Sequence, residues 1–476
     1  MNKILFQNSL KFLKSALTKG NLFIDTAAAI KWIGDQNEKV HVDVKKISFK
    51  ELKLWELDNK SLRHATGKFF SIDGIKVVTN WGPVNEWTQP IINQPEIGYL
   101  GFITKEFNGI LYFLMQAKIE PGNVNFVQLS PTLQATKSNY TGAHKGKAPA
   151  YLEYFQNAKK ENILLDQLQS EQGGRFLKKR NRNIIIQIDE DVEVLENFVW
   201  LTLGQIKELM KGDNLVNMDT RTVISGIPYG DYSAESIDLM TFLDNPLEYK
   251  SIAKRMLDSY LNKSNHLNSF NEILSFITDL KCRYELSVST VPLSELDKWE
   301  ITDSSIQHVD HRYFKVIAAE VEISNREVVK WSQPMVEPAQ EGICAFVCKE
   351  INGILHFIVQ AKLECGNFDI IELAPTVQCL TGQFNNEKSI NKLPYLNYVL
   401  DTDHENIVYD VLQSEEGGRF YREQNRNMII LAGDEISNDL PENYIWMTLN
   451  QLQKFIQYNN YINIQARSLM AAISFN

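Results

Sequence analysis

Three groups of residues in this chain have types and spacings that suit acid–base and anion-binding chemistry. The first is Gln116, Lys118 and Glu120, followed by Gln128, Ser130, Thr132 and Gln134. On a strand, alternation puts Gln116, Lys118 and Glu120 on one face, as a wetted sheet surface or as a ligand-holding row. The second is S-E-Q-G-G-R-F at Ser170, running into K-K-R-N-R-N at Lys178, with five basic residues between Arg175 and Arg182. Paired glycines permit positive φ and close backbone approach. Guanidinium groups grip phosphate oxygens two at a time, and lysine supplies a point charge. The cluster therefore fits a diphosphate, the plainer alternative being a solvated basic loop. The third is T-K-S-N-Y-T at Thr136, leading to His144, Lys145 and Y-L-E-Y at Tyr151. His144 is the best acid–base candidate by type, although a lone histidine is more often structural. No G-x-S-x-G elbow, H-E-x-x-H helix or pair of C-x-x-C motifs occurs in the chain.

These groups belong to a duplication. Q-A-K-I-E-P-G-N at Gln116 recurs as Q-A-K-L-E-C-G-N at Gln360, an offset of 244 residues. The same offset pairs Trp55 with Trp299, His64 with His308, W-T-Q-P at Trp87 with W-S-Q-P at Trp331, and Asn108-Gly109 with Asn352-Gly353. It also pairs D-Q-L-Q-S-E-Q-G-G-R-F at Asp166 with D-V-L-Q-S-E-E-G-G-R-F at Asp410. A two-residue slip near residue 190 then sets Asn217 and Arg221 against Asn463 and Arg467, at an offset of 246. The copies differ where chemistry is expected. Tyr140, His144, Glu153, Lys179, Arg180 and Asp219 stand opposite Phe384, Lys388, Asn397, Glu423, Gln424 and Gln465. The first copy keeps more ionisable groups, which points to it as the catalytic one.

The expected organisation is a first repeat over 1–225, a linker with one helix over 226–268 (helical from Leu247 to Leu261), and a second repeat over 269–476. Short helices open each copy at Ala27–Ile33 and Phe270–Lys281. Apolar β-branched runs at Ile97–Thr104 and Ile110–Lys118 meet through Asn108-Gly109, a strong hairpin signal, and Ile343–Lys349 and Ile354–Lys362 repeat the pattern. Asn183–Ile188 is a further strand, with helices at Leu203–Lys211 and Asn450–Tyr458. Each copy is an α+β domain with a mixed, mostly antiparallel sheet flanked by helices.

The 476 residues carry 49 Lys plus Arg against 59 Asp plus Glu, a net charge of −10, which argues against a nucleic-acid or acidic-membrane binder. Mean hydropathy is −0.26, and no run approaches the ~20 apolar residues of a membrane helix. The five cysteines (Cys282, Cys344, Cys348, Cys365 and Cys379) are odd in number and confined to the second half, which fits free thiols better than a disulfide framework. With an amphipathic rather than signal-like start, the expected compartment is the cytoplasm.

The run Q-A-K-I-E-P-G-N, Q-L-S-P-T-L-Q-A-T-x-S-N-Y-T, Q-S-E-Q-G-G-R-F-x-K-R-N-R-N and N-M-D-T-R resembles the NDP-hexose 2,3-dehydratases, and the resemblance extends through N-I-Q-A-R-S-L-M at the end. One stretch departs: W-G-P-V-N-E at Trp81 lacks the N-R-E-V seen at Asn325. The resemblance implies a homodimer of tandem Nudix-like domains without the metal-binding R-E-x-x-E-E signature, which the chain lacks. It implies a nucleotide-sugar substrate, dTDP-4-keto-6-deoxyglucose, and loss of water across carbons 2 and 3 with no metal and no cofactor. The roles expected on that basis are His144 or Glu171 as base, Tyr140 as proton donor, and Lys118 or Asn139 at the developing oxyanion. Gln116, Glu120, Gln134 and Asn183 would line the substrate, and Arg175, Arg180 and Arg182, backed by Arg221, would hold the diphosphate. A second-copy nucleotide site would use Gln360, Lys362, Arg419, Arg426 and Arg467. A non-catalytic nucleotide-sugar binder and a keto-sugar epimerase are the alternatives.

Overall fold

The computed structural model describes residues 3–20, 22–137, 148–230, 251–324, 329–379 and 393–475. The first repeat runs α1 (Lys3–Ala16), α2 (Thr26–Glu38), β1 (Val42–Ile47), β2 (Trp55–Leu57), β3 (Ser61–His64), β4 (Ser71–Thr79), β5 (Glu86–Asn93), β6 (Gly98–Phe107), β7 (Ile110–Ile119), β8 (Val127–Ser130), β9 (Leu133–Ala135), α3 (Leu152–Gln156), β10 (Ile163–Ser170), β11 (Arg180–Gln187), β12 (Phe198–Thr202), α4 (Leu203–Leu209) and α5 (Met218–Ser225). The second runs α6 (Ile252–Leu261), α7 (Phe270–Arg283), β13 (Leu286–Val291), β14 (Trp299–Ile301), β15 (Ser305–His308), β16 (Phe314–Ile323), β17 (Lys330–Pro338), β18 (Gly342–Ile351), β19 (Ile354–Lys362), β20 (Glu372–Ala374), β21 (Val377–Cys379), α8 (Leu396–Asp401), β22 (Ile407–Ser414), β23 (Gln424–Leu431), β24 (Tyr444–Thr448), α9 (Leu449–Ile456) and α10 (Ile464–Ala472).

Each repeat builds a seven-stranded sheet. The first has the order β10-β11-β6-β7-β12, with β8 added to β7 and β9 to β6. Its ladders are antiparallel except β11–β6, which is parallel, and the second sheet repeats this with β23–β18. The Asn-Gly hairpins form as expected. Asn108 and Gly109 have φ of 51° and 78°, and Asn352 and Gly353 have 54° and 78°, the paired positive values that a two-residue hairpin turn requires. Alternation along β7 buries Phe113, Met115, Ala117 and Ile119 in a core shared by both repeats, leaving Gln116 and Lys118 on the other face.

The repeats are not independent units. β1 of the first repeat pairs with β16 of the second, Val42 opposite Ile323, and β13 of the second pairs with β4 of the first, Leu286 opposite Thr79. Each five-stranded sheet therefore contains one strand exchanged from the other repeat. The two sheets share a core in which Phe176 and Phe420 meet edge to face at 5.8 Å. The helix expected as part of a linker is equivalent to α1. Ser259 on α6 donates to the Leu355 carbonyl at 2.6 Å and accepts from the Leu449 amide. Ser15 on α1 donates to the Leu111 carbonyl at 2.6 Å and accepts from the Leu203 amide. At the centre α5 packs on α10.

Candidate active site

The repeated Q-A-K-x-E string becomes the same hydrogen-bonded network twice. Lys118 donates to the Gln134 carbonyl at 3.0 Å, Gln134 Nε2 to Glu120 Oε1 at 2.8 Å, and Asn217 Nδ2 to Gln134 Oε1 at 3.1 Å. In the second repeat Lys362 donates to the Gln378 carbonyl at 3.2 Å, Gln378 to Glu364 at 2.9 Å, and Asn463 to Gln378 at 2.6 Å. Asn217 also caps α5 by accepting from the Thr220 amide, and Asn463 caps α10 through the Ala466 amide, each cap worth about 1 kcal/mol. The repeated Asn thus ties a helix start to the polar end of a strand.

The Gly-Gly loops cross between the repeats. The Gly122 amide donates to the Gly417 carbonyl, and the Gly366 amide to the Gly173 carbonyl. A Cβ at Gly122 would lie 1.7 Å from the Phe420 carbonyl oxygen, and one at Gly366 1.8 Å from that of Phe176, so a side chain at either position would force the backbones apart. P-G-N of one repeat is therefore fitted to S-E-x-G-G-R-F of the other. In consequence Arg419 lies in the first repeat's half, 4.2 Å over the Phe70 ring with Nε donating to Gln94. Arg175 lies in the second repeat's half, 4.2 Å over Phe314 and near Glu364 and Glu423. The sequence reading put these two arginines the other way round, because distance along the chain is no guide to a crossed loop.

Arg175, Lys179, Arg180 and Arg182 do not form one anion-binding patch. Arg180 stacks on Phe368 at 3.8 Å, and Lys179 donates to the Glu96 carbonyl. Arg182 makes two bonds of 2.7 Å to Asp166, and Arg426 likewise engages Asp410 at 2.8 and 2.6 Å. A diphosphate at either pair would have to displace a carboxylate. Arg221 and Arg467 are fully buried. Arg221 donates to Gln413 at 2.7 Å and to the Ser414 carbonyl at 2.5 Å, and Arg467 donates to Thr222 at 3.1 Å and to the Ser170 carbonyl. Both arginines hold the repeats together from α5 and α10 and are closed off from solvent, which corrects their expected role.

Charged groups converge instead at the loop crossings. At the first, Lys118, Glu120 and Asp219 of the first repeat meet Glu416 and Arg419 of the second, with Lys179 and Glu171 close by. Burial raises Asp219 well above the carboxylate range, and Glu416, Glu120 and Glu171 add to the rise. Burial, with Glu120 and Glu171 near, pushes Glu416 up to about 8 against the pull of Arg419. Part of its side chain stays open to solvent, which tempers that effect. Glu171 is also raised by burial; Asn181 donates to its Oε1 at 2.7 Å, and its Oε2 is buried without a described hydrogen-bond partner. At the second crossing, Lys362 and Glu364 meet Arg175, which also faces Glu423, while Gln172 donates to Glu415, and burial pushes Glu423 up to about 7.

Gln116 accepts from Ser130 at 3.5 Å beside Lys118, while Gln360 is buried. Asn183 is buried and donates to Thr222 at 3.4 Å. Asn139, Tyr140 and His144 lie outside the described residues. A cleft of about 320 Å³ lined by Glu153, Tyr154, Asn157, Lys159, Gln187 and Glu190 lies at the opposite end of β11 from Arg180 and holds none of the converging charges. Sequence reasoning missed Glu416; its signal was the single change from Gln172 within an otherwise matching S-E-x-G-G-R-F.

Residues 26–227 and 270–473 match the family model described as NDP-hexose 2,3-dehydratase. Three relatives carry the name dTDP-4-dehydro-6-deoxy-alpha-D-glucopyranose 2,3-dehydratase. The one from Saccharopolyspora spinosa is 44% identical over 98% of this chain and 95% of its own. That from Amycolatopsis orientalis is 39% identical, with 97% and 92% covered, and that from Streptomyces violaceoruber is 40% identical, with 94% and 97% covered. With both repeats matched and near-complete coverage of these relatives, this chain belongs to the NDP-hexose 2,3-dehydratase family.

Proposed function

We propose that this enzyme, a hydro-lyase, removes water across carbons 2 and 3 of dTDP-4-dehydro-6-deoxy-D-glucose. The observation that carries the reading is the 44% identity across 98% of the chain to a relative named for that reaction. The charged crossing around Lys118 supports it chemically. The ketone at carbon 4 acidifies the carbon 3 proton, so a base takes it and the electron pair moves onto the carbon 4 oxygen as an enolate. The enolate then reforms the ketone, a carbon 2–carbon 3 double bond develops, and the carbon 2 hydroxyl leaves as water with a proton from an acid. The resulting enol tautomerises to a 3,4-diketo-2,6-dideoxy sugar. In this reading Lys118 supplies the positive charge for the enolate oxygen, and a carboxylate held near neutral pKa exchanges the proton. His144 and Tyr140 stay as candidate base and acid.

The fold reading that goes with this is a tandem Nudix-like pair acting as a cytoplasmic homodimer, its second crossing binding nucleotide without chemistry. Incubating the purified full chain with dTDP-4-dehydro-6-deoxy-D-glucose and following mass tests the activity. Loss of one water is expected. Binding without a mass change would favour a nucleotide-sugar binding protein, and deuterium uptake from solvent without water loss would favour an epimerase.

A further inference from the structure

The two loop crossings are built on the same framework, so comparing them isolates what only one contains. Both have the Lys–Gln–Glu–Asn network, a crossed Gly-Gly loop and a stacked arginine. Only the first adds two carboxylates, Asp219 from α5 and Glu416 from the second repeat's loop. The second crossing has Gln465 and Gln172 in their places. These members come from opposite repeats, so each repeat taken alone looks half altered, and the difference sorts only by crossing. A Cβ at Gly418 would meet Glu416 Oε1 at 2.5 Å and Glu120 Oε1 at 3.7 Å, so the Gly418 backbone lies against both carboxylates, while Glu416 and Gly418 themselves stay partly exposed. Glu120 is 4% exposed, and its Oε2 is buried with no hydrogen-bond partner among the described residues.

We propose that Asp219 and Glu416 are the proton-exchanging pair of the dehydration, at a site that the first repeat's strands and the second repeat's loop build jointly. The assignment rests on the dehydration reading above. Glu120 and Glu171 face the pair with like charge, and Lys118, Lys179 and Arg419 face it with opposite charge. Like charges crowded in this way oppose each other's ionisation, so ionising one member favours the protonated form of the other. The ionised member takes the carbon 3 proton, and the protonated member gives its proton to the departing carbon 2 hydroxyl. The carbon–hydrogen pair becomes the new double bond by way of the enolate, water leaves, and the pair ends with one proton as it began.

The test is Glu416→Gln and Asp219→Asn, made separately in the full chain. Glutamine already occupies both equivalent positions at the second crossing, so the framework accepts an amide there. Each variant is expected to lose about 10²-fold or more in kcat, with KM moving less than about threefold and one limb of the wild-type pH–rate profile gone. If wild type dehydrates the sugar nucleotide while both variants stay within about threefold of its kcat, the pair is wrongly assigned. If wild type itself does not dehydrate it, the functional reading fails instead.

Discussion

The Gly122 amide donates to the Gly417 carbonyl at 2.8 Å, so a turn after β7 and a loop of the other repeat meet backbone to backbone. No side chain mediates the contact, and none fits.

Gly122→Ala and Gly366→Ala are therefore expected to destabilise the whole chain rather than one repeat. With a carbonyl oxygen 1.7 or 1.8 Å from the new methyl group, the loop must shift, at a cost of about 1–3 kcal/mol or more. Denaturant unfolding would show a lower midpoint. An unchanged midpoint for both variants would mean that the crossing is looser than described.

Arg221 and Arg182 separate structure from phosphate binding. Arg221→Met leaves Gln413 and the Ser414 carbonyl without their buried charged donor, which costs about 1.5–3 kcal/mol. Its KM for the nucleotide sugar should hold in the fraction that folds. Arg182→Ala removes a partly exposed pair with Asp166, worth about 0.2–1 kcal/mol, and a 3.2 Å hydrogen bond to the Tyr99 hydroxyl, worth about 0.5–1.5 kcal/mol. It should lower stability modestly while leaving KM near wild type. A large rise in KM for Arg182→Ala would restore it as a diphosphate ligand.

Much of this was legible in the sequence. The duplication, the Asn-Gly hairpins and the polar row at Gln116, Lys118 and Glu120 follow from spacing and alternation, which are local. The crossings were not legible, because Gly122 and Gly417 are brought together by long-range packing that no periodicity records. For the same reason the basic run from Arg175 to Arg182 read as one patch. Neighbours in sequence there point to Phe314, Glu96, Phe368 and Asp166, in different directions.

Stability against pH offers an independent check on Glu416. Its folded pKa lies at about 8, above the usual carboxylate value of 4.5, so the folded state binds more protons than the unfolded one between these limits. Its contribution is therefore present at low pH and is lost as pH rises toward 8. Glu416→Gln mimics the protonated form. The variant should melt close to wild type near pH 5 and above it near pH 9, the two curves diverging between the two pKa values. Parallel curves across the range would show that Glu416 is ionised in the folded chain throughout.

Lys118 and Lys362 occupy matching networks, and their replacement should separate the roles of the two crossings. Lys118→Met removes the cation assigned to the enolate oxygen, and the loss of one such donor typically lowers kcat by about 10²–10³-fold. Lys362→Met sits where Gln465 and Gln172 replace the carboxylate pair, so kcat should hold while the number of nucleotides bound per chain falls from two toward one. Equilibrium titration with dTDP alongside steady-state kinetics reads both quantities. If Lys362→Met loses turnover as deeply as Lys118→Met while remaining folded, chemistry is not confined to the first crossing, and the division into one catalytic and one binding crossing is wrong.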